Sequence, residues 1–453
     1  MEFTKKILCI GAGYVGGPTM AVIAAKCPTY KVIIADINKE KISAWQSDEL
    51  PIYEPGLLDV VKKVRGKNLF FTTEIAKSIN DSDIIFVSVN TPTKTFGEGK
   101  GRASDLQYLE NTARSILENS KTNKIIVEKS TLPVKTAEAL EKILGNNKNG
   151  VHFEIISNPE FLAEGSAIKD LELPVRVLIG SRETESGLRA REEIVGIYSN
   201  WVPKEKIVTS NIWSSELSKL VANAFLAQRI SSINSISALC EKTGANISEI
   251  SIAVGADTRV GNKFLNASIG FGGSCFKKDI LNLVYICESL GLYEVAQYWE
   301  SVISINDYQE KRFVKRMLTS MFNTIAGKKI VLFGFAFKAN TGDTRETPAY
   351  YVAKMLIEER AKLFITDPKA ISNAKSDLSE YNDEQICFID DPYKAVENAD
   401  AIAIMTEWDI YKILDYKKVY ESMRKPAYIF DGRNILNGDE LQKIGFNYFA
   451  IGK

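Results

Sequence analysis

The sequence predicts an α/β protein with two doubly wound parallel-sheet domains joined by a central helical domain that contains one long helix. Short β-branched runs alternate with helical patterns in the first and last parts of the chain, whereas the middle part has helical patterns alone. Apolar strands separated by helices are typical of a parallel sheet covered on both faces. A length of 453 residues is also compatible with about three domains.

The first part of the chain is expected to begin with a strand and to alternate regularly. Its predicted strands are residues 6–10, 31–35, 83–89, 124–128, 153–156 and 175–179. Its predicted helices are residues 19–26, 38–49 and 105–119. We therefore predict a first domain over residues 1–212.

The pattern changes at Trp213. Residues 214–240 contain neither Gly nor Pro and are rich in strong helix formers, which predicts a helix of about seven turns. Further helices are predicted at residues 276–290 and 293–322, so the central domain spans residues 213–325. Strands return at residues 329–335, 362–366, 401–405 and 427–430, with a helix at 348–359, and predict a last domain over residues 326–453.

Composition excludes several classes of function. The 57 basic and 57 acidic residues cancel, which argues against a nucleic-acid partner. No segment is apolar for long enough to span a bilayer, so no membrane partner is expected. Six widely spaced cysteines without a CxxC pair are typical of reduced thiols in the cytoplasm. One histidine, His152, excludes His-based triads and multi-His sites, and no metal is predicted.

A dinucleotide fingerprint opens the chain. The first strand runs into Gly11-Ala-Gly13-Tyr-Val-Gly16, a helix follows, and the next strand ends at Asp36, 20 residues beyond Gly16. Such glycines let the backbone approach a pyrophosphate at a helix N-terminus, and the acid binds the adenine ribose while it repels a 2′-phosphate. The domain is therefore Rossmann-like and its cofactor is NAD rather than NADP. The ends of later strands, at residues 89–93 and 128–131, are expected to line the same crevice.

A second glycine-rich loop precedes a cysteine. In Gly270-Phe-Gly-Gly-Ser-Cys275, the thiol falls at the start of a predicted helix, where unpaired amides stabilise a thiolate. Asp279 lies four residues on, on the same helical face. A nucleophilic thiol beside NAD indicates oxidation of an aldehyde to an acid through a thioester.

Lys219 and Asn223 lie four residues apart near the start of the long helix, so both face one way. Leu217, Leu220 and Val221 around them indicate partial burial. A helix lysine is usually solvated, and this burial is what makes the pair a candidate for chemistry.

Taken together, these motifs resemble the UDP-glucose/GDP-mannose dehydrogenase family, and most of all its UDP-glucose 6-dehydrogenases from eukaryotes. The resemblance runs through the chain in order: Gly11-Ala-Gly-Tyr-Val-Gly16, Pro51-Ile-Tyr-Glu-Pro-Gly56, Val89-Asn-Thr-Pro-Thr93, Glu128-Lys-Ser-Thr131, Asn158-Pro-Glu-Phe-Leu-Ala-Glu-Gly165, Glu216-Leu-Ser-Lys-Leu-Val-Ala-Asn223, Gly272-Gly-Ser-Cys275 and Phe335-Ala-Phe-Lys338. Two further stretches, Trp213-Ser-Ser-Glu-Leu-Ser-Lys219 and Phe430-Asp-Gly-Arg433, carry the likeness to the eukaryotic members.

The resemblance implies a four-electron oxidation in which UDP-glucose and two NAD give UDP-glucuronate and two NADH. It implies that Cys275 holds a thiohemiacetal and then a thioester, and that Lys219 and Asn223 stabilise the oxyanions at C6. Asp279 and Thr131 are expected to handle a water and a proton, and Glu160 to assist thioester hydrolysis.

The resemblance also implies the binding residues. The NAD contacts are expected at Gly11, Gly13, Tyr14, Val15, Gly16, Asp36, Lys41, Val89, Asn90, Thr91, Thr93, Ser130, Glu164 and Arg345. The UDP-glucose contacts are expected at Phe161, Leu162, Ala163, Arg259, Asn266, Phe271, Gly272, Phe337, Lys338 and Arg433. Arg259 reaches a neighbouring subunit in the family, which implies at least a homodimer on the long helices, and animal relatives assemble as homohexamers. Val175 and Asn266 depart from the residues usual in relatives.

Three other interpretations stay open from sequence. A sister enzyme could oxidise UDP-N-acetylmannosamine or GDP-mannose by the same chemistry. A β-hydroxyacid dehydrogenase shares the domain plan and a helix Lys/Asn pair, but it needs no nucleophilic cysteine. A catalytically inactive NAD-binding sensor would bind the cofactor without turnover.

Overall fold

The computed structural model describes residues 3–147, 150–381 and 384–453. Its contacts divide the chain into two compact units, Met1–Ala222 and Asn223–Lys453. Each unit contains one β-sheet, and α9 begins in the first unit and ends in the second. The two boundaries between the three predicted domains, after residues 212 and 325, remain predictions.

The first unit alternates strands and helices. Its elements are β1 (Lys5–Ile10), α1 (Gly16–Lys26), β2 (Tyr30–Ala35), α2 (Lys39–Gln46), α3 (Leu57–Val64), β3 (Leu69–Thr72), α4 (Ile75–Asp81), β4 (Ile84–Val87), α5 (Gln107–Asn119), β5 (Lys124–Glu128), α6 (Thr136–Leu144), β6 (Phe153–Ser157), α7 (Ala167–Glu172), β7 (Val177–Ser181), α8 (Glu185–Tyr198), a 3₁₀ turn (Lys204–Lys206), β8 (Ile207–Asn211) and the start of α9 (Ile212–Thr243).

The first sheet has the strand order β3-β2-β1-β4-β5-β6-β7-β8. Its first six strands are parallel, in the order of a dinucleotide-binding sheet. β7 pairs with β6 in the antiparallel direction and β8 continues from β7, so this end of the sheet departs from the all-parallel expectation. The six predicted strands are confirmed, whereas β3 and β8 are additional.

The core of this unit lies on both faces of the sheet. Along β1, Ile7 and Cys9 pack into one apolar cluster while Leu8 and Ile10 pack into another. Because successive side chains of a strand point to opposite faces, this alternation means that helices cover both sides. Burial of each such aliphatic side chain stabilises the fold by about 1.5–3 kcal/mol.

The second unit has helices first and strands afterwards. Its elements are the rest of α9, then α10 (Ile247–Gly255), α11 (Phe276–Ser289), α12 (Tyr293–Ser320), β9 (Lys329–Phe333), α13 (Pro348–Glu358), β10 (Lys362–Thr366), α14 (Ile371–Asp377), β11 (Ile386–Phe388), α15 (Pro392–Ala395), β12 (Ala401–Ile404), α16 (Asp409–Lys412), α17 (Tyr416–Ser422), β13 (Tyr428–Asp431), α18 (Gly438–Ile444) and β14 (Asn447–Ala450).

The second sheet has the order β11-β10-β9-β12-β13-β14, and every pair is parallel. Numbered within the sheet, this is the same 3-2-1-4-5-6 order as the first six strands of the other sheet. The fold prediction of two doubly wound sheets around a helical region is therefore confirmed. No helix among the described residues is long and apolar enough to cross a membrane.

Candidate active site

The nucleotide loop lies between β1 and α1. Gly11 has φ +109°, and a Cβ there would meet the Ser88 carbonyl oxygen at 2.2 Å. A Cβ on Gly16 would meet the Gly11 carbonyl oxygen at the same distance, whereas a Cβ on Gly13 would meet no atom within 4 Å. Two glycines therefore serve the tight turn, and Gly13 leaves open space for a ligand at the start of α1.

Asp36 follows β2 beside this loop. Its Oδ2 accepts from the Ala12 amide at 3.0 Å and its Oδ1 from the Asn38 amide at 3.0 Å. Lys41 Nζ lies 3.3 Å from Oδ2. A carboxylate anchored beside a glycine loop at the start of a helix fits the ribose and pyrophosphate of NAD.

The ends of β4 and β5 are joined by hydrogen bonds. Ser130 Oγ donates to the Val89 carbonyl at 2.7 Å, and Thr91 Oγ1 donates to the Thr131 carbonyl at 3.1 Å. These bonds tie the two polar strand ends together at the carboxyl edge of the sheet. Of the other NAD candidates in this unit, Tyr14 and Val15 lie in the nucleotide loop and Asn90 and Thr93 follow β4. Glu164 lies in a different loop, between β6 and α7.

Three carboxylates hold the segment that contains Phe161, Leu162 and Ala163. Glu160 Oε1 accepts from the Phe161 amide at 2.7 Å and the Leu162 amide at 3.0 Å. Asp170 accepts from the Ala163 amide at 3.0 Å. Glu54 accepts from the amides of Gly165 at 2.8 Å and Ala167 at 2.6 Å. The segment is thus fixed by charge-assisted hydrogen bonds, which are stronger than neutral ones.

Glu54 and Asp170 are residues that sequence reasoning missed. Glu54 lies in the quoted motif Pro51-Ile-Tyr-Glu-Pro-Gly56, but that motif had no predicted role. Its carboxylate binds amides more than a hundred residues along the chain, at a sequence separation of 111 for Gly165. The signal available in the sequence was an acidic residue, Glu54, within a motif of the family. Its hydrogen-bond partners could be identified only from the folded structure.

Glu160 is ion-paired in the interior of the unit. Lys129 Nζ lies 2.8 Å from Glu160 Oε2, and it also donates to Asn158 Oδ1 at 3.1 Å and Tyr198 Oη at 3.3 Å. Burial by itself raises the pKa of Glu160. The charge and hydrogen bond of Lys129, together with the Phe161 amide and the charge of Lys219, outweigh burial and hold that pKa below its ordinary value. Glu160 is therefore ionised at neutral pH and is a weak base.

Phe161 lies between two cations. The Arg176 guanidinium is 3.8 Å from its ring centroid, and Lys219 Nζ is 5.3 Å from it. Lys219 is 8% exposed, which confirms the predicted burial of this helix lysine. The ammonium group of Lys219 thus lies over the ring of Phe161, a residue predicted to contact the substrate.

In the second unit, Cys275 is the N-cap residue of α11 and its side chain is exposed. Cys9, Cys27, Cys240 and Cys287 are buried, and Cys387 is partly buried. Burial raises the pKa of the Cys9 thiol to about 12 and that of Cys27 to about 11. Of the six thiols, all within the described residues, Cys275 is the one open to a substrate.

The loop before Cys275 is closely packed. A Cβ on Gly272 would meet the Glu346 carbonyl oxygen at 2.5 Å, and one on Gly273, at φ +88°, would meet the Phe337 ring at 3.0 Å. The Gly273 amide donates to the Arg345 carbonyl at 2.9 Å. Two candidate ligand residues, Phe337 and Arg345, therefore adjoin the cysteine loop. The Arg345 side chain is ion-paired with Asp343 at 2.7 Å.

A buried pair lies one turn into α11. Asn223 Nδ2 donates to Asp279 Oδ2 at 2.6 Å, and the two residues are 6% and 1% exposed. The Asp279 amide donates to the Cys275 carbonyl at 2.9 Å, which places the acid one helical turn from the thiol. The structure thus brings together three of the predicted catalytic residues.

Arg433 follows β13 and crosses the carboxyl edge of the second sheet. It donates to the carbonyls of Phe337 at 2.9 Å, Met405 at 2.7 Å and Gly270 at 3.4 Å. Lys338 Nζ lies 5.5 Å from the Phe337 ring centroid. Two cations and a ring therefore gather where a doubly wound sheet binds its ligand.

Two candidates lie apart from this group within the unit. Arg259 has an 87% exposed side chain and pairs with Asp257 at 2.6 Å. Asn266 is also exposed. Within the part of the chain that the structure describes, neither side chain has a hydrogen bond or ion pair with Cys275.

Comparison with known proteins gives a consistent result. Three models of the UDP-glucose/GDP-mannose dehydrogenase family match: its NAD binding domain at residues 5–202, its central domain at 213–308 and its UDP binding domain at 331–438. The chain is 58% identical to UDP-glucose 6-dehydrogenase 5 of Oryza sativa subsp. japonica and to UDP-glucose 6-dehydrogenase 1 of Glycine max, over 99% of this chain and 97% of each relative.

Solved structures agree with the fold. The chain is similar to a UDP-glucose dehydrogenase from Pyrobaculum islandicum, with a TM-score of 0.87 and 28% identity over 99% of this chain and 98% of that one. It is also similar to a UDP-D-ManNAc dehydrogenase from Pyrococcus horikoshii, with a TM-score of 0.81 and 27% identity over 99% of both chains. The chain therefore belongs to the UDP-glucose/GDP-mannose dehydrogenase family, as an NAD-dependent oxidoreductase that acts on a nucleotide sugar.

Proposed function

We propose that this enzyme is a UDP-glucose 6-dehydrogenase that converts UDP-glucose to UDP-glucuronate in two oxidation steps through a thioester on Cys275. The observation that carries the proposal is the exposed Cys275 thiol at the start of α11, one turn from the buried pair of Asn223 and Asp279. High identity to plant UDP-glucose 6-dehydrogenases along the whole chain supports the substrate.

The residues divide the chemistry between them. NAD, held by the glycine loop and Asp36, would supply the hydride acceptor for both oxidations at C6. The Cys275 thiolate adds to the aldehyde formed first, and the thiohemiacetal is then oxidised to a thioester. Lys219 and Asn223 stabilise the C6 oxyanions, because both are buried polar donors, and such donors act most strongly where water is excluded.

Hydrolysis of the thioester completes the reaction. Thr131 orients the water, and the Asp279 carboxylate takes up its proton. Glu160 assists by fixing the amides of Phe161 and Leu162, since its low pKa leaves it a poor base.

Two sets of residues bind the two ligands. The glycine loop, Asp36 and Lys41 hold NAD, together with the polar ends of β4 and β5, Glu164 and Arg345. Lys338 and Arg433 hold the diphosphate of UDP-glucose, because cations at the edge of the second sheet match its charge. The sugar and uridine contact Phe161, Leu162, Ala163, Asn266, Phe271, Gly272 and Phe337.

The enzyme acts in the cytoplasm as at least a homodimer, with a homohexamer as a higher assembly. Large apolar side chains are exposed on the central helices, among them Phe225 and Leu239 of α9, Ile252 of α10 and Tyr298 of α12. An apolar surface of this kind is typical of a subunit interface. Arg259, exposed on the same unit, serves the site of the neighbouring subunit.

The substitution Asp36→Ala weakens NAD binding by roughly tenfold and narrows the preference for NAD over NADP. The carboxylate accepts hydrogen bonds from the ribose hydroxyls and repels a 2′-phosphate, and hydrogen bonds to a charged group contribute about 1.5–3 kcal/mol. Calorimetric titration with NAD and with NADP measures both effects. Asp36→Asn, which keeps the shape without the charge, is the matched variant, and unchanged NAD affinity in both would show that Asp36 does not contact the ribose.

The number of NADH formed per UDP-glucose tests the function directly. With limiting UDP-glucose and excess NAD, we expect two NADH per sugar nucleotide, read at 340 nm and by chromatography of the product. One NADH per sugar nucleotide would contradict the thioester intermediate and the role of Cys275 as its nucleophile. No NADH would contradict the substrate, and UDP-N-acetylmannosamine and GDP-mannose would then be assayed.

A further inference from the structure

Buried carboxamide side chains hold the backbone of the loop between α10 and α11. This loop contains Asn266, Phe271 and Gly272, which the proposed function assigns to the substrate. The carboxamides are Asn234 of α9 and Asn306 and Gln309 of α12, which are 1%, 5% and 1% exposed.

Each carboxamide meets a backbone group of the loop. The Ser268 amide donates to Asn234 Oδ1 at 2.9 Å, and Gln309 Nε2 donates to the Ser268 carbonyl at 2.7 Å. The Phe271 amide donates to Asn306 Oδ1 at 2.8 Å, and Asn306 Nδ2 donates to the Phe271 carbonyl at 3.2 Å. A carboxamide offers one donor group and one acceptor, so Asn306 pairs with Phe271 as a neighbouring strand would.

The fit around Asn306 is close. Gly270 has φ +137°, and a Cβ there would meet Asn306 Oδ1 at 2.9 Å. Asn306 Nδ2 also donates to Glu310 Oε1 at 3.3 Å, which fixes the orientation of the amide. The loop therefore cannot shift without leaving buried donors and acceptors unpaired, a costly state in the interior.

The position held in this way bears on the reactive thiol. The Phe271 ring packs edge-on against Phe276 at a centroid distance of 5.7 Å, and Phe276 follows Cys275 directly. Hydrogen bonds that fix Phe271 therefore also fix the ring against which Phe276, the residue after Cys275, packs.

We propose that Asn306, aided by Asn234 and Gln309, is a positioning residue for substrate binding. It acts through the backbone of Phe271 and sets how the loop receives the nucleotide sugar. This inference rests on the proposed function, because that function assigns the loop to UDP-glucose.

The test compares three variants of the full-length enzyme. Asn306→Ala removes both bonds to Phe271. Asn234→Ala removes the single side-chain bond to the Ser268 amide and serves in case Asn306→Ala folds poorly. Ser231→Ala is the matched control. Ser231 Oγ donates to the Val302 carbonyl at 2.7 Å, so the substitution removes one buried hydrogen bond between α9 and α12 without changing a contact to the loop.

We expect Asn306→Ala to raise the KM for UDP-glucose at least about fivefold, as loss of two buried hydrogen bonds implies. The kcat and the KM for NAD should stay within about twofold of the wild type. Asn234→Ala, which loses one bond to the loop, should raise the KM for UDP-glucose less than Asn306→Ala does. Ser231→Ala should leave every constant unchanged. A fall in kcat alone, or an unchanged KM for UDP-glucose, would overturn the positioning role.

Hydrogen–deuterium exchange separates this inference from the proposed function. The peptide that covers residues 266–274 should exchange faster in Asn306→Ala and not in Ser231→Ala, whatever the substrate is. Equal exchange in wild type and Asn306→Ala would overturn the inference. If the wild type forms no NADH from UDP-glucose, the proposed function fails, and calorimetric affinity for UDP replaces KM as the measure of positioning.

Discussion

Cys275→Ser stops the enzyme after the first oxidation while UDP-glucose binding is retained. A serine hydroxyl is a far weaker nucleophile than a thiolate, so the aldehyde is not converted to an intermediate that can be oxidised further. We expect complete turnover to fall by on the order of 10³-fold or more. A rapid-mixing experiment should show at most one NADH per subunit, followed by almost no further formation.

Cys387→Ser is the matched control for this experiment. Cys387 lies in β11 of the same unit and is partly buried, so its loss removes a thiol without touching the start of α11. Its turnover should equal that of the wild type. Two NADH per sugar at a normal rate in Cys275→Ser would rule out the thioester, and calorimetry with UDP-glucose would show whether binding had been retained.

Lys129→Met lowers the free energy of unfolding by about 3–5 kcal/mol, the usual cost of removing one partner of a buried ion pair. The substitution removes the cation that is ion-paired with Glu160, and Asn158 and Tyr198 each lose the hydrogen bond that Lys129 donates. The midpoint of urea unfolding, followed by tryptophan fluorescence, measures the change.

The pH dependence of the same measurement identifies the cause. In the wild type, the folded-state pKa of Glu160 lies below its unfolded value, so its stabilising contribution is present above that unfolded value, about 4.3, and is lost as pH falls through the folded one. In Lys129→Met, Lys129 no longer offsets the burial of Glu160, so the pKa of Glu160 is higher than in the wild type. The deficit of the variant should therefore grow as the pH rises from 5 to 8.

Two further variants test whether the uncompensated charge of Glu160 causes the loss of stability. Lys129→Met combined with Glu160→Gln should recover much of the lost stability, because the uncompensated charge is gone. Lys124→Met is the control, since Lys124 is 3% exposed but donates to the Asn80 carbonyl and to Thr122 Oγ1 instead of a carboxylate. A Lys129→Met deficit that is independent of pH, as expected for Lys124→Met, would contradict the ion-pair explanation.

Local patterns predicted the parts of the fold that depend on the backbone of neighbouring residues. The first strand, glycine loop, helix and acid at Asp36 follow in sequence, and the structure places them as the fingerprint requires. Cys275 at a helix start and the buried Lys219 were also readable, since both depend on helix boundaries and helical spacing. The edge strands of both sheets, β3, β8, β11 and β14, were not predicted. These strands are short, and whether such a segment forms a strand depends more on pairing with its neighbour than on its own residues.

The sequence by itself determined the two doubly wound sheets, because periodicity and turn residues are local properties. Its motifs, in their order, determined the resemblance to the family, and that resemblance supplied most of the candidate residues. Tertiary structure alone decided what holds those residues in place. Glu54 binds the Gly165 amide across 111 positions, and Asn306 binds the Phe271 amide across 35. Such partners satisfy backbone groups that irregular segments leave unpaired, and only the folded chain brings them within hydrogen-bond distance.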